Sequence, residues 1–250
     1  MSHKIFFDGK SSDCLNAIIT CDNPYDKPQR IVETYTVPGH NGDVVIDTGR
    51  FGTVSRKYRL RLSRRSAMGV HDALQAVVDY FRLDGRLHEL QDDYCSWGYR
   101  LARVASINPA VVGSAGKTVD VEVELVCQPE IWLLGVTPIM VSPAEGAATA
   151  INPTGYPAPA TIRVPSASSD IVLTIEGGSG TATCTIKASA LPITIDTADC
   201  TAEYSDGSGG ALDHVSLSGD WVLAPGTSKI TLAATDAGIG AEILPRWWTI

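Results

Sequence analysis

The side chains best suited to chemistry are scattered through this sequence. Five histidines (His3, His40, His71, His88 and His214) offer acid–base or metal-binding nitrogens, but none is spaced to share a metal with another ligand. His71 lies at the edge of a helical stripe, as a packed or solvated helix residue would. Asp213-His214 are adjacent, which does not make a catalytic dyad and suits a turn. Asp92-Asp93 are paired carboxylates without the surrounding pattern that acid–base catalysis needs. Six cysteines (Cys14, Cys21, Cys95, Cys127, Cys184 and Cys200) include no C-x-x-C and have no histidine at zinc-finger spacing. They read as reduced, partly buried thiols, with a Cys184–Cys200 disulfide as the alternative. The sequence holds no G-x-S-x-G elbow, P-loop, Rossmann fingerprint or H-E-x-x-H. The expectation is a protein that is not an enzyme, with no catalytic residue, cofactor or metal ligand.

Binding is the remaining chemistry. Arg56 to Arg65 carries six Lys or Arg in ten residues, the footprint of a basic patch. The overall pI of about 5.1 and an equally acidic strand elsewhere argue against specific nucleic-acid binding. Sugar recognition needs exposed aromatic platforms. The second half offers only Tyr156, Tyr204, Trp221, Trp247 and Trp248, few enough for core packing to use them all. A carbohydrate-binding module contacting a host surface is therefore the alternative function, and an extracellular adhesin stands third. The short apolar start, Ile5-Phe6-Phe7, is unlike a signal peptide, so secretion by that route is not expected.

The elements that would position these groups follow from charge and periodicity. The chain has 250 residues and a formal charge of -8. Residues 1–140 hold 16 basic and 17 acidic residues, and residues 141–250 hold 4 and 11. The second part is also rich in Ala, Ser, Thr and Gly. Two domains, 1–140 and 141–250, are expected. In the first, Val70, Ala73, Leu74, Val77, Val78 and Phe81 keep helical spacing over Met68–Arg82, with Ser66 as N-cap and Gly85 as stop. Elsewhere short β-rich runs dominate. In the second part they cover Thr161–Val164, Ile171–Glu176, Thr181–Lys187, Ile193–Asp196, Cys200–Tyr204, Val215–Leu217, Trp221–Leu223, Lys229–Leu232 and Glu242–Leu244, as in an antiparallel sandwich.

Two alternating strands stand out. Lys57, Arg59 and Arg61 share a face opposite Tyr58, Leu60 and Leu62, while Asp120, Glu122 and Glu124 share a face opposite Val119, Val121, Val123 and Leu125. The basic and acidic stripes fit as neighbours within one sheet. They also fit as matching surfaces between subunits. Both arrangements stay open at this level.

Several short motifs fall in a familiar order. They are Val37-Pro38-Gly39-His40-Asn41-Gly42-Asp43, Thr48-Gly49-Arg50-Phe51-Gly52, Leu87 to Tyr94 with Tyr99-Arg100-Leu101-Ala102, and Cys127-Gln128-Pro129-Glu130. Asn152 to Pro159, Gly219-Asp220-Trp221 with Leu223-Ala224-Pro225-Gly226, and the closing Pro245-Arg246-Trp247-Trp248 follow. Together they resemble the distal tail (Dit) proteins of siphovirus-type bacteriophages with long noncontractile tails; Gln91-Asp92 stands where relatives often carry Glu-Asp. The resemblance spans nearly the whole chain.

It implies a mainly β protein: an N-terminal β-sandwich with one α-helix and a β-hairpin arm forming a ring, then a C-terminal galectin-like sandwich at the periphery. The implied role is a tail-tip hub, a homo-hexameric ring joining the tail tube protein to tail-associated, baseplate or receptor-binding proteins. Such a protein is made in the host cytoplasm and ends in the virion. Gly39, His40, Asn41, Gly42 and Asp43, whose Asn-Gly step signals a hairpin, become candidate interface residues together with Arg50, Arg59, Arg61, Glu122 and Glu124. An ordinary surface hairpin is the plain alternative for the first five. Pro245, Arg246, Trp247 and Trp248 are expected to pack the final strand.

Overall fold

The computed structural model describes residues 3–64, 67–111, 117–178, 180–236 and 238–250. The chain folds as two compact units, 1–131 (with Ile250) and 132–249. The division falls at Ile131/Trp132, upstream of the 140/141 junction suggested by composition.

The first unit begins with β1 (Ile5–Phe7), β2 (Lys10–Ser11), β3 (Ile18–Cys21), β4 (Arg30–Thr36), β5 (Asp43–Phe51) and β6 (Val54–Ser63). The helix α1 (Ala67–Phe81), β7 (His88–Asp92), β8 (Gly98–Val111) and β9 (Thr118–Cys127) complete it. Seven strands form an antiparallel path in the order β2-β1-β7-β8-β9-β6-β3, while β4 and β5 pair only with each other. Period-two alternation sends Tyr58, Leu60 and Leu62 of β6 and Val121, Val123 and Leu125 of β9 into one core. Val70, Ala73, Val77 and Phe81 of α1 join the same cluster, as the helical stripe requires.

Tyr80, outside that stripe, is also buried, because its hydroxyl donates to the Ile5 and Lys10 carbonyls at 3.0 and 2.7 Å. The helix ends before Gly85. Arg82 itself turns left-handed, with φ 46°, while its N–H still bonds to the Val78 carbonyl. Gly85 has φ 73° in the turn beyond. Ser66 lies outside the described residues.

β10 (Ile131–Leu133) straddles the division, and the second unit continues with β11 (Ile139–Val141), β12 (Ala148–Asn152), β13 (Ala160–Val164), β14 (Ile171–Gly177) and β15 (Gly180–Ile186). Then come β16 (Ile193–Asp196), β17 (Thr201–Tyr204), β18 (Val215–Ser218), β19 (Gly226–Ala234), β20 (Ala241–Pro245) and β21 (Trp248–Thr249). Two antiparallel sheets, β11-β20-β13-β16-β17 and β12-β19-β14-β15-β18, enclose a core that includes Ile162, Leu173, Ile195, Ile230 and Ile243. Trp221–Leu223 is not a strand. Only Leu223 bridges, to Ala158, while Trp221 packs into the core. All six cysteines are free thiols, Cys184 buried and Cys200 exposed, which leaves the disulfide alternative unmade.

The closing residues act as a clasp on this sandwich. Pro245 pairs with Ala160, and the Arg246 guanidinium donates to Asp196 at 3.0 and 3.3 Å. Trp247 is buried, and its carbonyl accepts from Leu133 N–H at 2.9 Å. Trp248 stacks on Tyr156 at 4.4 Å and donates its indole N–H to the Pro157 carbonyl. Trp247→Ala should cost about 3–5 kcal/mol, the usual range for deleting a buried indole, read by denaturant unfolding. Truncation after Leu244 should destabilise the unit further.

Candidate assembly surface

The β4–β5 hairpin leaves the sheet at Gln29 and Gly52, where Gly52 N–H bonds to the Gln29 carbonyl at 2.9 Å. Beyond that root neither strand pairs with any other described strand, and nearly every residue from Arg30 to Phe51 is exposed. A two-stranded ribbon is marginal in water without support. This one is braced by polar bonds across the pair. Arg30 grips Asp47 bidentately, Nε to Oδ1 at 2.9 Å and Nη2 to Oδ2 at 2.8 Å. Thr48 Oγ1 donates to the Ile31 carbonyl, and Thr36 Oγ1 to Asp43 Oδ1 at 2.8 Å. The Arg30 bonds, then the Gly49 N–H, hold the Asp47 carboxyl below its ordinary pKa.

The tip is a loop of Val37 to Gly42. His40 N–H closes a turn onto the Val37 carbonyl at 3.1 Å, with Pro38 and Gly39 (φ 83°) at its centre. That is the Pro-Gly chemistry of a type II turn. Asn41 is not left-handed, although Gly42 is, so the Asn-Gly step does not form the two-residue type I′ turn its sequence suggests. Proline fixes the bend two residues earlier, and the loop is longer.

Register distributes apolar side chains over both faces of the arm. Tyr35 faces Val44 and Glu33 faces Ile46 on one side, while Thr34 faces Val45 and Val32 faces Asp47 on the other. Tyr35, Val45 and Ile46 are 49, 60 and 50% exposed. Gly39 to Asp43 and Arg50 all belong to this exposed hairpin. Sequence reasoning located the turn but missed the strand Arg30–Thr36. Its β-branched run, Ile31-Val32 followed by Thr34-Tyr35-Thr36, was the available signal.

The charge stripes lie elsewhere, as cross-strand neighbours in one sheet of one chain. Lys57 opposes Glu124, Arg59 opposes Glu122 and Arg61 opposes Asp120. Only the last pair closes bidentately, with both bonds at 2.7 Å. Arg59 turns to Asp22 at 3.2 Å, and Glu124 accepts from Ser55 Oγ at 2.8 Å. The hydrogen bonds from Arg61 lower the Asp120 pKa. The structure thus brings Arg59 and Arg61 together with Glu122 and Glu124, but does not join them to the arm residues.

The other polar candidates have local structural partners. Asp92 caps the turn Asp93–Cys95 through Tyr94 and Cys95 N–H groups and accepts from the Tyr58 hydroxyl. Asp93 instead takes the Lys4 N–H at 2.8 Å. His214 closes a short 3-10 turn, Leu212–His214, and His71 is exposed on α1. Among the described residues no group of three or more His, Cys, Asp or Glu is placed to hold a metal. No helix there is long and apolar enough to cross a membrane. Of the second unit's aromatics, Trp221 and Trp247 are buried, Trp248 stacks on Tyr156, and Tyr204 packs edge-on to His214.

No protein-family model matches the chain, and no curated protein matches it by sequence. Solved structures do match in fold. The Dit protein of phage SPP1, described as a paradigm of the hub adsorption apparatus in phages infecting Gram-positive bacteria, superposes with a TM-score of 0.73 at 10% identity over 100% of both chains. Chains from the phage P2 baseplate in its activated conformation, with calcium and with strontium, superpose with TM-scores of 0.53 and 0.51. Each is 9% identical over 98% of both chains. This chain therefore has the mainly β fold of a phage distal tail protein throughout its length.

The Arg61–Asp120 pair gives a direct test of the stripes. Asp120 ionises more readily when folded, so its contribution is present above the ordinary carboxylate pKa and fades as pH falls through the lowered value. Arg61→Glu should lower the thermal midpoint modestly at neutral pH and less in acid. The swap Arg61→Glu/Asp120→Arg should recover most of the loss, measured by calorimetry.

Proposed function

We propose that this chain is a structural component of a phage tail tip. Copies assemble into a ring, most naturally a hexamer, through the first unit, with β4–β5 as the arm that reaches a neighbouring copy. The ring joins the tail tube protein above to baseplate, tail-associated or receptor-binding proteins below, and the second unit stands at its periphery. The protein's place is then the virion, after synthesis in the host cytoplasm.

The observation that carries this reading is the arm itself. Exposed apolar side chains on both faces of a ribbon contribute nothing hydrophobic unless another surface covers them. A second copy supplies such a surface at matched stoichiometry, and a closed ring leaves no arm unused. The whole-length fold likeness to a hub protein supports the same role. The carbohydrate-binding alternative finds less support, since the second unit's aromatics pack against its own residues.

The test is assembly. Native mass spectrometry of the full chain should give a closed oligomer. Deleting Pro38–Asp43, or placing Asp at Val45 or Ile46, should leave folded monomers with unchanged circular dichroism and at least a tenfold weaker assembly. Rings of unchanged stability in the deletion would remove the arm from the interface.

A further inference from the structure

The Asn41-Gly42 step has no bend to build, since Pro38 and Gly39 already make it. Its two residues are left open to solvent, both exposed. Among the described residues the Asn41 side chain makes no hydrogen bond and the Gly42 N–H has no acceptor. Gly42 has φ 86°, and a Cβ placed on it would meet nothing within 4 Å. A side-chain amide and the backbone nitrogen that follows it thus share an open loop. No side chain on Gly42 keeps them apart.

The other asparagines are closed to any reaction between these two groups. The chain has five. Asn23, Asn108 and Asn152 each precede proline, which has no N–H to become a nucleophile. Asn16 precedes Ala17, whose Cβ crowds the approach. Its backbone is also pinned, the N–H to the Asp13 carbonyl at 3.2 Å and the carbonyl by Arg64 Nη1 at 3.2 Å. Aspartate before glycine can close the same ring, but the three that do so here are held. Asp8 pairs with Arg82 at 2.8 Å, and Asp84 and Asp206 each accept at 2.9 Å, from Arg86 N–H and Ser208 N–H. A carboxylate held in this way is a poor electrophile. The Asn41 amide is neutral and unheld.

We propose that Asn41 is a self-modification site at the tip of the arm, deamidated without an enzyme by the Gly42 backbone nitrogen. That nitrogen gives its proton to a solvent base and bonds to Asn41 Cγ. The Cγ–Nδ2 bond breaks, and the side-chain nitrogen takes up a proton and leaves as ammonia. Water then adds to either carbonyl of the cyclic imide and breaks that carbon's bond to the Gly42 nitrogen. One opening gives aspartate. The other gives isoaspartate, whose main chain runs through Cβ. Either product adds a carboxylate beside Asp43, and isoaspartate lengthens the loop by one carbon.

Peptide mapping tests this directly. The full chain, diluted until native mass spectrometry shows monomer, is incubated in oxygen-labelled water at mildly alkaline pH and digested in acid. The Asn41 amide should be lost at least about tenfold faster than the Asn16 amide, because only Asn41 is followed by a residue without Cβ. Aspartate and isoaspartate should form together, each carrying labelled oxygen. Asn41→Gln, which would need a larger ring, should stay intact while keeping the wild-type circular dichroism. Aspartate without isoaspartate would mean direct hydrolysis and would remove Gly42 from the reaction. Equal rates at Asn41 and Asn16, or an Asn41 that stays intact in the monomer, would equally overturn the proposal.

Discussion

The antiparallel register between β6 and β9, running from Val54↔Cys127 to Ser63↔Thr118, governs the first unit. It sets one face of both strands against α1 and places Lys57, Arg59 and Arg61 beside Glu124, Glu122 and Asp120 on the other. A slip of one residue would drive the charged set into the core, which makes this register self-enforcing. Only Gly52 and Thr53 separate β6 from β5, so the same rigid strand fixes the root of the arm. An exposed two-stranded ribbon thus continues from the best-specified part of the sheet.

That arrangement separates two jobs. Apolar burial within the sheet stabilises the chain, while the apolar side chains of the arm stay available for association. Polar bonds such as Arg30–Asp47 hold the ribbon in shape without consuming Val44, Val45 or Ile46. The second unit is built differently. Its apolar core is enclosed between two sheets of its own, its charge is strongly acidic, and most of its aromatic residues pack within it.

Much of this was legible in the sequence because the signals were periodic. The α1 stripe and the alternation in β6 and β9 named their buried faces correctly, and most strands of the second unit were found between their turns. The misses have physical causes. Trp221–Leu223 has strand-like composition, but it makes only the single bridge from Leu223 to Ala158. Tyr80 breaks the helical stripe because its hydroxyl finds two carbonyls. The arm's turn was visible, but its chemistry is Pro38-Gly39 rather than Asn41-Gly42. The burial of Arg56 and Arg100 was hidden altogether, since arginine on a strand reads as surface until tertiary packing covers it. Even the charge stripes admitted two arrangements, because sequence fixes faces and not partners.

The central claim is that a second copy covers the arm. Hydrogen–deuterium exchange of the full chain, compared at concentrations below and above assembly, tests it most directly. Amides from Val44 to Ile46 should slow at least tenfold on assembly, while those of the second unit's core stay unchanged. Assembly that leaves exchange at Val44 to Ile46 unaltered would contradict the account.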